Sequence, residues 1–152
     1  MGEKLLTELS KILDRKLFAG FPEWKKYAEI VEADYDINQK SLYLKIPSTI
    51  NDRHFLSILE RGDCIEIGYC DGNPLALIEK QILCESDSDS LCVEAAIEFV
   101  EKIVNEEIVI GRKSASWWSG NNLLSFINRA EIKEKKFARI YSWQGNFNSS
   151  IS

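Results

Sequence analysis

Residues 91–105 constrain the fold most, because their hydrophobic pattern fits a single amphipathic helix with an unusually wide apolar face. Its polar stripe is narrow and consists of Glu94, Glu98, Glu101 and Asn105. The apolar positions on the remaining face are Cys92, Val93, Ala96, Phe99, Val100, Ile103 and Val104. An apolar face of this width needs a broad apolar surface to cover it, so we expect this long helix to pack on a β-sheet.

Strand patterns occur in the sequence both before and after that helix. Ser41–Ile46 alternates apolar and polar residues and ends at Pro47, and Cys64–Cys70 forms another apolar strand. Further strands are predicted at residues 27–34, 54–60, 75–84, 107–111, 123–127 and 137–143. The turn-rich residues 36–40 join the first two strands into a hairpin.

An amphipathic helix is predicted over residues 3–17, and Gly20-Phe-Pro22 ends it. A helix, a run of strands, one long helix and more strands together indicate an α+β fold. We expect a mainly antiparallel, curved sheet with both helices packed on it. At 152 residues the chain is predicted to form a single domain over 1–152.

Composition places the chain among soluble proteins. Charged residues make up 28% and no apolar run is long enough for a membrane span, so no membrane association is expected. The N-terminal residues alternate charge with leucine, unlike a secretory signal, and we therefore predict a cytoplasmic location. The four cysteines, Cys64, Cys70, Cys84 and Cys92, are accordingly interpreted as reduced thiols.

The charge is unevenly distributed along the chain. The net charge is −5, yet residues 111–152 carry seven basic against two acidic side chains, and the remaining residues carry 12 against 22. An acidic body repels nucleic acid and attracts basic proteins. We predict a basic protein partner and no nucleic-acid binding, and the oligomeric state is left open.

Catalytic and metal-binding patterns are weak in this sequence. His54 is the single histidine, lacks a nucleophile motif nearby, and is expected to be a partly exposed strand residue. The cysteines contain no CxxC pair, and the loop at Asp87–Asp89 lacks the glycine and glutamate of a calcium loop. Adjacent Glu106 and Glu107 point to opposite faces if they lie on a strand. We predict no enzymatic activity, no cofactor and no metal.

Two adjacent tryptophans, Trp117 and Trp118, lie in a loop of small polar residues. Aromatic side chains of this kind are enriched at binding interfaces. The predicted partner-binding residues are therefore these two tryptophans together with Glu85, Asp87 and Asp89 of the acidic loop before the long helix.

The C-terminal segment Ser142-Trp-Gln-Gly-Asn-Phe147 is predicted to end the last strand, with Gly145 allowing the chain to turn. Arg139, Tyr141 and Trp143 share one face of that strand. An alternative function follows from them: a small-molecule-binding domain or weak enzyme, with a ligand pocket between sheet and helix lined by these three residues.

Three short segments carry a resemblance to a known family: Asp63–Tyr69, Ile103–Ile108 with its I-x-x-E-x-I pattern, and Ser142–Gly145. Over residues 40–147 the chain resembles the small cytoplasmic immunity-type proteins of bacterial polymorphic-toxin loci. Where those relatives carry histidines after the central strand, this sequence has Cys70–Pro74. The resemblance implies a non-enzymatic protein that neutralises a toxin by binding it directly.

Overall fold

The strands of the computed structural model belong to two sheets, one of six strands and one of four. The structure describes residues 5–33, 36–49, 53–72, 77–84, 89–112, 124–131 and 139–150. The predicted α+β class is confirmed. The strands before the long helix form one of these sheets, and the strands after it form the other.

The six-stranded sheet precedes the long helix. Its strands are β1 (Leu5–Leu6), β2 (Ala28–Ala33), β3 (Asp36–Pro47), β4 (Phe55–Glu60), β5 (Cys64–Cys70) and β6 (Leu77–Leu83). They are ordered β1-β3-β4-β5-β6, and β2 also pairs with β3. The predicted hairpin is present, with Ile30 of β2 opposite Leu42 of β3 in antiparallel register. Strand β1 runs parallel to β3.

The first helix, α1 (Glu8–Gly20), begins later than its hydrophobic pattern predicts. Thr7 is its N-cap, and the Thr7 hydroxyl accepts a hydrogen bond from the Ser10 N–H at 3.1 Å. Leu5 and Leu6 therefore leave the helix and form β1. The predicted stop is confirmed, since α1 ends at Gly20 and a 3-10 helix (Pro22–Tyr27) follows.

A buried carboxylate joins this helix start to the sheet. Glu60 is 1% exposed and accepts hydrogen bonds from the hydroxyls of Thr7, Ser10 and Ser41 and from the Gly62 N–H. Ser10 in turn accepts from the Leu42 N–H at 2.9 Å. Four donors offset the desolvation of the carboxylate, so the group fixes the position of α1 on β3 and β4.

The long helix, α2 (Asp89–Val104), covers almost the predicted range. The second sheet follows it, with strands β7 (Ile108–Arg112), β8 (Leu124–Asn128), β9 (Arg139–Tyr141) and β10 (Ser149–Ser150) and a 3-10 turn (Arg129–Glu131). Their order is β10-β9-β7-β8, and all described pairs are antiparallel. Tyr141 lies opposite Ile110 in this sheet.

Two compact units make up the chain. One comprises Met1–Ile46, Leu56–Gly68 and Glu79–Glu98, and the other comprises Pro47–Phe55, Tyr69–Ile78 and Phe99–Ser152. The core of the first includes Leu13, Leu17, Leu44, Leu56 and Ile65, and that of the second includes Val100, Ile103, Val109, Ile110 and Trp143. Among the described residues, no helix is long and apolar enough to cross a bilayer. A single domain over 1–152 stays a prediction.

Candidate functional site

Four of the five predicted partner-binding residues, Trp117, Trp118, Glu85 and Asp87, lie outside the described residues. The fifth, Asp89, is the first residue of α2 and is exposed. The surface that continues from Asp89 along α2 lies within the described residues.

An acidic, partly apolar face runs along the first half of α2. Leu91, Glu94 and Glu98 follow helical spacing on one side of the helix and are all exposed. The leucine is 64% exposed, which is high for a large apolar side chain. The Lys16 ammonium group lies 2.9 Å from Glu94 and donates to the Ser90 hydroxyl at 2.7 Å, which fastens α1 to this end of α2.

A disulfide between Cys84 and Cys92 places a second exposed leucine beside this face. The two Cα atoms are 5.0 Å apart, and Leu83 and Leu91 each precede one of these cysteines. Because each lies one Cα step away, the leucine Cα atoms are at most about 13 Å apart. Leu83 is 69% exposed. We name Leu83, Asp89, Leu91, Glu94 and Glu98 the α2 surface.

This disulfide corrects the prediction that all four cysteines are reduced. Cys84 and Cys92 are eight residues apart, and the end of β6 brings one of them beside the first turn of α2. Cys64 and Cys70 are buried free thiols, as predicted. Burial, together with the neighbouring charge of Asp63, raises the pKa of Cys64 to about 11, so this thiol is unreactive at neutral pH.

His54 was expected to be partly exposed. This prediction is wrong, because the residue is only 5% exposed. Its Nδ1 lies 2.7 Å from the Tyr69 hydroxyl. The Tyr141 ring covers its other side, edge to face, with centroids 4.6 Å apart. These two tyrosines come from distant parts of the sequence, so the burial of His54 is a tertiary effect. Asp71 and Arg112 form an ion pair in the same unit.

The His54–Tyr69 pair is held in its neutral form. Burial lowers the pKa of His54, Asp71 opposes that shift, and Arg112 adds to it. Burial likewise raises the pKa of Tyr69, and the charges of Tyr141 and Asp71 act in the same direction. A neutral imidazole bonded to a protonated phenol contains no activated nucleophile, so the arrangement has the properties of a packing element.

The three residues of the alternative ligand site differ in exposure. Arg139 is exposed on β9, and Tyr141 is half-buried against His54. Trp143 lies beyond the end of β9 and is 5% exposed, with its carbonyl accepting from the Thr49 hydroxyl at 3.3 Å. The burial of Trp143 means that it contributes to the core. A ligand-binding role for the three stays a prediction.

The turn at residues 142–147 is held by Glu106, which the sequence indicated only as one of two adjacent carboxylates. The Glu106 carboxylate accepts hydrogen bonds from the backbone N–H groups of Gln144 and Asn146, both at 3.2 Å, and from the Asn146 side chain. Burial acts to raise the pKa of Glu106, but the hydrogen bonds from Ser142, Asn146 and Gln144 outweigh it and the net pKa is lowered. Gly145 has φ 81°, which confirms its predicted turn role.

A shallow pocket of about 190 Å³ lies between the second half of α2 and the strands β7 and β8. Phe99 and Phe126 form its aromatic walls, edge to face with ring centroids 5.1 Å apart, and Lys102, Glu107 and Asn128 line its polar side. A pocket between helix and sheet was predicted, but these are not the residues named for it. Its volume is below the roughly 300 Å³ of a typical ligand site.

Metal-binding groups and comparisons with known proteins add no information on function. Within the described ranges, no group of three or more His, Cys, Asp or Glu side chains could hold a metal ion. Comparison with protein-family models, with curated proteins and with solved structures gives no match. The function is therefore inferred from the chain's own surface and chemistry.

Proposed function

We propose that this chain is a non-enzymatic protein-binding domain that takes a basic protein partner on the α2 surface. The observation that carries the proposal is the juxtaposition of two exposed leucines, Leu83 and Leu91, with the carboxylates of Asp89, Glu94 and Glu98. Exposed apolar groups rimmed by charges are typical of interaction surfaces.

The charge of this surface selects the kind of partner. The Lys16 ammonium group pairs with Glu94, and Asp89 and Glu98 add two further exposed carboxylates to this surface. The chain as a whole carries −5. A basic partner gains from this field chiefly in its association rate, while burying the leucines contributes about 1.5–3 kcal/mol each to holding it.

The chemistry of the interior supports binding rather than catalysis. The His54–Tyr69 pair is neutral and buried, and the free thiol of Cys64 has a raised pKa. The pocket beside Phe99 and Phe126 is smaller than most ligand sites. A small-molecule-binding domain or weak enzyme is accordingly the less supported alternative.

The particular role that we propose is an immunity-type neutraliser that binds a basic toxin domain directly. The sequence resemblance to such proteins supports this role. Two of its three segments, Ile103–Ile108 and Ser142–Gly145, meet in space, where Glu106 accepts a hydrogen bond from the Gln144 N–H.

A calorimetric titration with the purified product of the adjacent gene tests the proposal. We expect binding that weakens between about 20 mM and about 300 mM salt, since the Debye length shortens over that range. Glu94→Lys with Glu98→Lys should weaken it at least tenfold at low salt, because the partner then meets repulsion in place of attraction.

The matched control reverses two exposed carboxylates elsewhere, Glu23→Lys with Glu29→Lys, which changes the net charge equally. If the two double variants lose affinity to the same extent, net charge alone is responsible and the α2 surface is not the contact. Absence of binding at low salt contradicts the proposed partner.

A further inference from the structure

The disulfide Cys84–Cys92 lies at the base of the α2 surface. It joins the residue after Leu83, where β6 ends, to the residue after Leu91, in the first turn of α2. The disulfide therefore links covalently the two segments that carry these leucines. Cys92 is 4% exposed and Cys84 is half-buried, so Cys84 is the more accessible residue of the pair.

We infer that this disulfide is a redox gate on partner binding: the oxidised chain presents Leu83 and Leu91 together, and reduction separates them. The inference rests on the proposed function, because it concerns the regulation of that same surface. Docking two apolar anchors at once requires a fixed spacing, and a preorganised surface binds more tightly than one that must be ordered on contact.

Reduction requires a dithiol reductant of the thioredoxin class. Its thiolate attacks Cys84 Sγ, the Cys84–Cys92 bond breaks, and Cys92 leaves as a thiolate that takes up a proton. The second thiol of the reductant then resolves the mixed disulfide and releases Cys84. Two electrons pass to the protein, and the reductant becomes a disulfide.

The first test measures binding of the adjacent gene product to the intact chain with and without dithiothreitol. We expect reduction to weaken binding at least tenfold. Cys84→Ser with Cys92→Ser should bind as weakly as the reduced protein and should not respond to dithiothreitol. Equal affinity of the oxidised, reduced and double-serine proteins overturns the gate while leaving the binding function intact.

A second test is independent of the partner. Thiol titration of the unfolded, unreduced chain should find the two free thiols of Cys64 and Cys70 and twice as many after reduction. Amide hydrogen exchange should then show that the first turns of α2, around Leu91 and Glu94, lose protection on reduction while β4 does not. Four thiols without reduction, or unchanged protection of α2, overturns the inference whether or not the partner binds.

Discussion

The backbone N–H of Asn146 donates a hydrogen bond to the Glu106 carboxylate at 3.2 Å, across 40 residues of chain. Glu106 follows α2 in a Schellman motif, in which the Glu106 N–H bonds to the Ile103 carbonyl and the Glu107 N–H to the Lys102 carbonyl. Its φ is 62°, a conformation in which glycine is usual. A glutamate occupies this strained position because its carboxylate fastens the C-terminal turn.

This arrangement predicts an ordered series of stabilities at position 106. Glu106→Ala should lower the free energy of unfolding by about 2–3 kcal/mol, because several charge-assisted hydrogen bonds to the C-terminal turn are lost together. Glu106→Gly should cost about 1 kcal/mol less, because glycine adopts a positive φ without strain. Urea denaturation measures both changes.

The control for this series is Glu107→Ala, which removes the adjacent, exposed carboxylate. Such a surface change should stay within about 0.5 kcal/mol of wild type. Because the pKa of Glu106 is lowered in the folded state, its contribution is present at neutral pH and is lost as the pH falls through that pKa. A Glu106→Ala loss equal to that of the control would show that the carboxylate does not hold the turn.

Glu66 and Glu79, on β5 and β6 of the six-stranded sheet, predict the opposite pH dependence of stability. Burial, followed by the charge of Glu66 and a hydrogen bond to it, raises the pKa of Glu79, and Arg61 opposes the shift. A raised pKa favours the folded state below the unfolded value, and this stabilisation disappears as the pH rises through the folded value. Glu79→Gln should therefore gain stability relative to wild type between about pH 4 and pH 7.

Chemical denaturation across that pH range measures the effect, and Glu23→Gln, at an exposed carboxyl, is the matched control. A Glu79→Gln stability difference that does not change with pH would mean that the pKa of Glu79 is not raised in the folded protein.

The hydrogen bond between Tyr69 and His54 predicts that removal of the Tyr69 hydroxyl lowers the stability of the folded protein. Tyr69→Phe should cost about 1–2 kcal/mol, because the buried Nδ1 of His54 is left without its partner. Tyr43→Phe, at a half-buried tyrosine on β3, should cost less. Thermal denaturation compares the two.

The same pair gives a pH signature. Because the pKa of His54 is lowered in the folded protein, its contribution is present above the ordinary value of 6.5 and is lost as the pH falls through the lower folded value. Nuclear magnetic resonance titration of the single histidine should give a midpoint below 6.5. A midpoint at or above that value would mean that the imidazole is exposed to solvent in the folded protein.

The disulfide predicts a difference in stability between the oxidised and reduced chains. Closing a loop with a separation of eight residues restricts the unfolded chain and is worth about 2.5 kcal/mol. Reduction should lower the free energy of unfolding by this amount in urea titrations. The Cys84→Ser, Cys92→Ser protein should be insensitive to reductant, and a response in that variant would point to another target.

Local sequence patterns predicted most of the secondary structure. The wide dry face of α2 and the strand at Cys64–Cys70 are set by spacing along the chain, and the structure places both almost as predicted. The start of α1 was predicted too early, because Thr7 caps the helix and bonds to Glu60, which lies on the distant strand β4. The spacing of apolar residues shows which side chains share a helix face. It does not show which distant residue bonds to the first turn and so sets where the helix begins.

The sequence by itself determined the α+β class, the acidic character and the exposed stripe of Glu94 and Glu98, because these follow from composition and from the period of a helix. Only the tertiary structure decided that His54 is buried between two tyrosines, that Glu106 holds the C-terminal turn, and that Cys84 and Cys92 are joined. Each depends on groups far apart in the chain or on the meeting of a strand end with a helix start. Such meetings are fixed by packing, which no local pattern encodes.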